Sequence, residues 1–421
     1  MGSEGAEGGG GGISLRRMRT FESFKYPAFR IYYGSTVGQW VSMGMEMVVR
    51  PLLAYRITGS GAILGGLSLA NAIPVLLISF FGGAVADRLQ KRNILVACQA
   101  GSAVFTIGIA ITLTLGYLSP EHPSSWWILA ASAALQGVVM GFMMPARQAI
   151  IPEIVGEEQV MNAISLNSLG MNAFRLMSPA LAGFIVDAIN FDAAYYVMTA
   201  MYLTGTVCAA FLPRSQAPTT GRSNTLTDIA DGMRYIRREK VILVILVFSL
   251  LGTILSMPFN FLMPMFTEDI LNVGATGLGL LMMFSGVGAI FGSLILASLS
   301  NRKRGLMMIL STLLMALVLV GFSFSRWWYP SLALITIVGL GQTVLMALGI
   351  ILIQAYAEPG FRGRAISFNM MGMGLANFGT FIAGVLSESI GVQWSIGGMA
   401  MVLTLFSILM LSFSPLLRKL N

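Results

Sequence analysis

The chain has 421 residues, of which 56% are hydrophobic and only 10% charged. Soluble domains carry about a quarter charged residues, so this composition excludes an ordinary water-soluble fold and implies a polytopic membrane protein. The formal net charge of +8 would suit nucleic acid, but the placement of the basic residues accounts for it in another way.

The first dozen residues, MGSEGAEGGGGG, are too polar and Gly-rich for a signal peptide. Residues 1–25 are expected to form a disordered cytoplasmic tail. A bilayer core takes ~20 apolar residues per helix. Twelve such segments follow, at roughly 29–50, 61–86, 93–117, 125–147, 159–187, 192–212, 241–266, 276–299, 305–325, 328–356, 363–387 and 393–416. Their long unbroken form predicts helices, because barrel strands would be short and alternating.

Most Lys and Arg fall in alternate gaps: the amino-terminal tail, the 2–3 gap, Arg147 at the 4–5 gap, the middle linker, the 8–9 and 10–11 gaps and the carboxyl tail. The remaining gaps hold mainly acids, among them Glu121, Asp187, Asp192, Glu268, Asp269 and Glu388. This positive-inside pattern predicts both termini in the cytoplasm and a multi-pass inner (plasma) membrane protein, with no need of a nucleic-acid partner. Cys98 and Cys208 lie inside apolar segments and read as small core residues rather than a disulfide or metal site.

Residues 213–240 divide the chain into an N-terminal six-helix bundle (26–212) and a C-terminal one (241–421). The divider starts Pro/Ser/Thr-rich and turns into a short amphipathic helix, with Ile229, Met233 and Ile236 on one side, which would lie on the cytoplasmic face. The halves resemble one another. AISLNSLGM at 163–171 matches AISFNMMGM at 365–373 at six of nine positions, 202 residues apart. KRNIL after segment 2 likewise matches KRGLM after segment 8, at an offset of 212. Parallel six-helix repeats place a substrate path at their interface near mid-membrane, which points to a transporter.

The loop after segment 2, GGAVADRLQKR, holds Gly83, Asp87, Arg88, Lys91 and Arg92. It resembles the signature loop of the major facilitator superfamily, an all-α fold of twelve transmembrane helices in two pseudo-repeats. FRIYYGSTVGQW, PARQAIIPEIV, FRLMSPALAG and IADGMRYIRRE are similar to the branch of macrolide-efflux proteins and enterobactin exporters. The resemblance implies a conformational gate. Gly83 would let a neighbouring helix approach, and Asp87 would accept N–H groups at the start of helix 11. Arg88, Lys91, Arg92 and, at the next inner loop, Arg147 would meet phosphates and carboxylates. In the second half SLSNRKRG keeps the basic residues but has Leu299 where Asp87 aligns. Ser178, Pro179 and Gly183 in SPALAG look like the antiporter motif of exporting members, with Ser in place of the usual first Gly; an ordinary proline kink is the plainer alternative.

Polar residues recurring at helical spacing mark the candidate substrate and proton path. They are Gln39, Glu46 and Arg50 in segment 1, Gln136 in segment 4, Asn172 and Arg175 in segment 5, Asn260 in segment 7 and Asn377 in segment 11. Charges inside a membrane cost ~2.5–3.5 kcal/mol and are functional suspects. Glu46 and Arg50 stand i, i+4 and could pair, with Arg50 near the outer boundary; alternatively Glu46 is the proton acceptor of an antiporter. Related exporters often carry Asp after the helix-1 glycine, but Gly38 is followed by Gln39 here. Either Glu46 substitutes, or coupling uses Asp87 or Glu153 at the inner face, or the protein is not proton-coupled. Arg175 either orders helix 5 or serves as a cavity cation.

The 29 methionines tilt the expected cargo toward lipophilic molecules, although gap-filling explains most of them. No lysine follows a glycine, so no phosphate-binding Gly-Lys-Ser/Thr loop exists and ATP is not the expected energy source. The expectation is a monomeric secondary transporter, not an enzyme, without cofactor or metal. It would use the proton gradient to export a lipophilic drug or secreted metabolite. A siderophore or lysophospholipid carrier and a non-transporting membrane receptor or scaffold stand as alternatives.

Overall fold

The computed structural model describes residues 19–156, 159–213, 233–299 and 303–420, without the side chains of residues 19, 20, 80–88 and 373. Gly83, Asp87 and Arg88 belong, as side chains, to the portion outside the described residues, as does the divider at 214–232 with Ile229. Among the described residues twelve long helices form and no strand. They are α1 (Pro27–Thr58), α2 (Gly61–Arg88), α3 (Lys91–Thr114), α4 (Trp126–Val155), α5 (Val160–Ala188) and α6 (Phe191–Ala210) in the first half. The second half has α7 (Lys240–Ile270), α8 (Gly274–Ser298), α9 (Arg304–Ser323), α10 (Trp328–Tyr356), α11 (Arg362–Ile390) and α12 (Val392–Phe413).

Ten of these are long and apolar enough to cross a membrane by composition alone. The exceptions have a local cause: α1 carries Gln39, Glu46 and Arg50, and α6 is diluted by tyrosines and threonines. Two helices outrun their apolar segments. Helix α1 continues through Pro51 to Thr58, and α4 through Pro145 and Pro152 to Val155. Arg50 therefore lies inside the bundle, not at its boundary. A proline in a helix removes one hydrogen bond, and neighbouring helices in a membrane bundle can tolerate that loss.

Each half packs by the same scheme: α2 lies on α4 and α3 on α6 in the first, α8 on α10 and α9 on α12 in the second. The halves meet along two seams, α5 with α8 and α2 with α11. These seams are related by the repeat, since α5 corresponds to α11 and α8 to α2. Lipid tails are as apolar as Leu, so such seams hold by close van der Waals approach of small residues. At Gly279 of α8 a Cβ would come within 2.9 Å of the Ala180 Cα, and at Gly65 of α2 within 2.7 Å of the Phe381 Cα. Only glycine permits backbones that close.

The seams start at the end of the bundle remote from the chain termini. They reach about mid-helix, where Leu176 meets Gly286 and Leu76 meets Gly374. Toward the other end α4 and α10 do not pack on one another among the described residues. Among the described residues the two halves thus close at one end and do not meet through α4 and α10 toward the end that holds the termini. The short helix at 233–238 docks at this open end: the Tyr235 ring stacks on Phe361 at 4.3 Å and 6°, and its hydroxyl accepts the Glu358 N–H at 3.0 Å.

Candidate functional site

A cavity of about 200 Å³ lies between α1, α2, α4 and α7. Its polar wall is Glu46, Arg50, Asn71 and Gln136. Met43, Met47, Met140 and Phe261 supply most of the apolar wall. Drug-sized ligands fill pockets of ~300–1,000 Å³, so this volume holds part of such a molecule and the remainder would extend into the parted end.

Helix α1 positions both charges. Glu46 and Arg50 are one turn apart, and the Arg50 guanidinium donates from Nη2 to the Glu46 carboxylate. Both side chains are close to buried, 9% and 11% exposed, so the pair is only slightly screened by water. Its polar needs are not fully met: Arg50 Nε is buried without a partner. Gln136 is held in place by Ser102, whose hydroxyl donates to Oε1 at 3.0 Å, and by Tyr202, which accepts from Nε2 at 2.9 Å. Asn71 is anchored by its own donation to the Ala133 carbonyl at 3.0 Å. The polar wall is therefore preorganised by groups behind it.

The other residues singled out from the sequence fall elsewhere. Gln39 is buried on α1 and accepts from Arg147 Nη1 at 3.2 Å. Asn377 of α11 joins the halves by accepting the Ser68 hydroxyl of α2, while Asn260 donates to the Met257 carbonyl at 3.4 Å within its own helix. Asn172 and Arg175 are exposed on α5 and do not line this cavity. Lys91 forms an ion pair with Glu153 of α4, and Arg92 donates to the Leu212 carbonyl beyond α6 at 3.3 Å. Both tie α3 into the first half. Pro179 and Gly183 sit on the α5–α8 seam. Ser178 is buried against α1, and Gly183 lies so near Ala275 and Thr276 that a Cβ would reach within 3.0 Å of the Thr276 Cα.

The closed end holds candidate residues that stand out in the sequence only as acids between segments. Asp187, at the end of α5, accepts from the N–H groups of Ala275 at 3.2 Å and Thr276 at 2.7 Å, in the first turn of α8. Glu388, at the end of α11, accepts from the Ala62 N–H at 3.2 Å and from the hydroxyl of Ser60, which itself caps α2 by accepting from Ile63 N–H at 3.2 Å. The two carboxylates stand 201 residues apart, almost the offset of the internal repeat. Each one sits on the positive end of a helix from the opposite half, where a negative charge is stabilised. That spacing was the available signal.

Between these caps two consecutive residues of α1 meet two consecutive acids of α7. Arg56 Nη2 reaches Glu268 at 2.8 Å and Asp187 at 3.9 Å, and the Tyr55 hydroxyl donates to Asp269. A π-turn, Phe266–Ile270, ends α7 and presents both acids toward α1. Apart from Arg56–Asp187, which lies within the first half, these contacts join one half to the other. Chemically the arrangement can trap a molecule between two halves and be loosened by neutralising carboxylates; no group of three or more metal-ligating side chains occurs among the described residues.

Comparison with known proteins agrees with this architecture. The chain is 22% identical over 383 residues to macrolide efflux protein A of Streptococcus pyogenes, covering 89% of this chain and 93% of that one. It is 24% identical over 375 residues to the staphyloferrin A transporter of Staphylococcus aureus, covering 87% and 89%. The fold matches the crystal structure of the nucleoside transporter NupG with a TM-score of 0.74 at 15% identity, over 92% of this chain and 100% of that one. The family model described as transmembrane secretion effector matches residues 18–419. The chain belongs to that family, and is thus a membrane transporter of the major facilitator superfamily.

Proposed function

We propose that this transporter is a proton-coupled exporter of small lipophilic molecules that works by alternating access. The observation that carries the proposal is the cavity between the halves, lined by thioethers and an aromatic ring and holding the Glu46–Arg50 pair next to a single closed end. The alternating placement of basic residues puts both termini in the cytoplasm of a plasma-membrane protein. The parted end then faces inward and the carboxylate caps close the outer face. Similarity to a macrolide efflux protein supports a lipophilic cargo and the outward direction.

In the inward-facing state of this scheme Glu46 pairs with Arg50. Cargo enters from the parted end and packs against Met43, Met47, Met140 and Phe261. The outward-facing state breaks the Asp187 and Glu388 caps and admits external protons. Protonation of Glu46 frees Arg50 from its pair and changes the charge of the wall that cargo touches. A ligand shifts such an equilibrium only by its differential affinity for the two states, and the proton supplies that difference here. Pro179 and Gly183 give the α5–α8 seam its close fit, Ser178 packs α5 against α1, and Lys91 and Arg92 brace the inner end of α3. The protein is a carrier, not an enzyme.

The test is accumulation of a panel of macrolides, lipophilic cations and catecholate siderophores in efflux-deficient cells, followed by pH-gradient-driven flux in proteoliposomes. Export of at least one class that collapses with the gradient, and with Glu46→Gln, is the expected result. Export at full rate by Glu46→Gln would remove the proton role from Glu46.

A further inference from the structure

We propose that Arg147 is the recognition cation for an anionic group on the transported molecule, so that the cargo joins an apolar body to a carboxylate, sulfonate or phosphate. The site is built from α1, α4 and α5. The Arg147 guanidinium donates to Gln39 Oε1 at 3.2 Å and to Met171 Sδ at 3.9 Å, and lies over the Trp40 ring at 5.2 Å. Every one of these partners is neutral. Among the described residues no carboxylate stands within ion-pair distance of it.

Three other cations of the helices are each met by a carboxylate. Arg50 has Glu46, Arg56 has Glu268 and Lys91 has Glu153. A charge within a membrane bundle is costly unless paired and marks a functional position by default. Arg92 donates to a backbone carbonyl and Arg175 is exposed on α5, whereas Arg147 packs among an amide, a thioether and an indole, an arrangement that keeps it available for a counter-ion from outside.

The surroundings are rigid. Gln39 is buried, and its Nε2 is engaged by Met43 Sδ at 3.7 Å and by Met143, so its oxygen is the atom turned to Arg147. Trp40 is 4% exposed and is held by Phe174 at 6.3 Å and Tyr33 at 5.7 Å. A guanidinium carries five N–H donors, and two are used by these contacts. The Tyr32 hydroxyl also lies beside the guanidinium, and it too is neutral. One turn earlier on α4 Met144 is exposed, and one turn before that Met140 lines the cavity beside Glu46. Residues at this spacing share a helix face. The apolar body would lie along this thioether track with its anionic end on Arg147.

The experiment uses purified full-length protein in detergent and three matched probes: 4-phenylbutyrate, the neutral 4-phenylbutanamide and the cationic 4-phenylbutylamine. Binding is followed by calorimetry and by tryptophan emission, with Trp40→Phe identifying the signal from the ring under Arg147. The acid should bind about tenfold or more tightly than the amide, the discrimination expected of a charge-assisted hydrogen-bonded pair. Arg147→Gln should abolish that preference while leaving amide affinity unchanged, and Arg147→Lys should retain part of it. Equal affinity for acid and amide, no acid binding at millimolar concentration, or an equal loss for all three probes in Arg147→Gln would each overturn the proposal. The last outcome would assign Arg147 to helix packing alone. The inference rests on the export reading for the passage of cargo. Binding is measured without a gradient, so absent export with intact acid selectivity sinks only that reading, and intact export without selectivity sinks only this one.

Discussion

The closed end offers a quantitative test, through Asp187→Asn combined with Glu388→Gln. A carboxylate at a helix N-terminus contributes about 0.3–1 kcal/mol when exposed and up to about 2 kcal/mol when partly buried. Asp187 is 35% exposed and engages two N–H groups, which argues for about 1 kcal/mol. Glu388 engages one N–H and the Ser60 hydroxyl, for a similar amount. The amides keep the shape and one acceptor but remove the charge. Both caps join opposite halves, so their loss weighs entirely on the closed state. Together they shift the equilibrium by about 2 kcal/mol, or roughly thirtyfold at 1.4 kcal/mol per decade. A minor open state at about 1%, within the usual range for such equilibria, would rise to about a quarter of the molecules.

Spin labels at Tyr117→Cys and Tyr329→Cys, on exposed turns of opposite halves at the closed end, would read this in a background lacking Cys98 and Cys208. Pulsed dipolar spectroscopy should show a second, longer distance in the double variant and a smaller amount in each single one. An unchanged distribution would refute the role given to the caps.

Three further outcomes follow from the same contacts. Glu46→Gln leaves the Arg50 guanidinium buried without a counter-charge and should cost about 3–5 kcal/mol; adding Arg50→Met should recover most of the lost thermal stability in a detergent melting assay. Gly279→Val should destabilise the α5–α8 seam by about 1–3 kcal/mol, the usual cost of overpacking, because its Cβ would come within 2.9 Å of the Ala180 Cα; the same spin-label pair should report a wider closed end. Tyr235→Ala removes the stack on Phe361 and the acceptor of the Glu358 N–H, so hydrogen exchange at residue 358 should accelerate by about tenfold or more.

The number and order of the helices were legible because a bilayer demands long apolar segments whatever surrounds them. Their ends were less so. The apolar count stopped at Arg50, while the helix runs to Thr58, because Glu46 neutralises a charge that hydropathy scores as an end. The stripe on α1 was legible as polar residues at helical spacing, and Glu46, Arg50 and Gln136 do line one cavity. Asn172 and Arg175 fit a stripe equally well but are exposed on α5, since spacing sets which residues share a face and leaves the rotation of that face open. Arg147 closes an apolar segment, a position that by sequence alone belongs with the loop cations. Yet α4 continues to Val155, and the side chain meets Gln39 and Trp40 inside the bundle.

By itself the sequence determined a membrane chain of twelve helices, its internal repeat and the alternation of basic and acidic gaps. These follow from the solvent and from local chain geometry, so neighbouring residues suffice to state them. Only the tertiary structure decided which charges find partners. Asp187 and Ala275, Glu388 and Ala62, and Arg56 and Glu268 are brought together by packing across the repeat, and no spacing along one helix encodes such a meeting. The same packing left Arg147 among neutral groups, and that difference in company separates a structural cation from a candidate binding one.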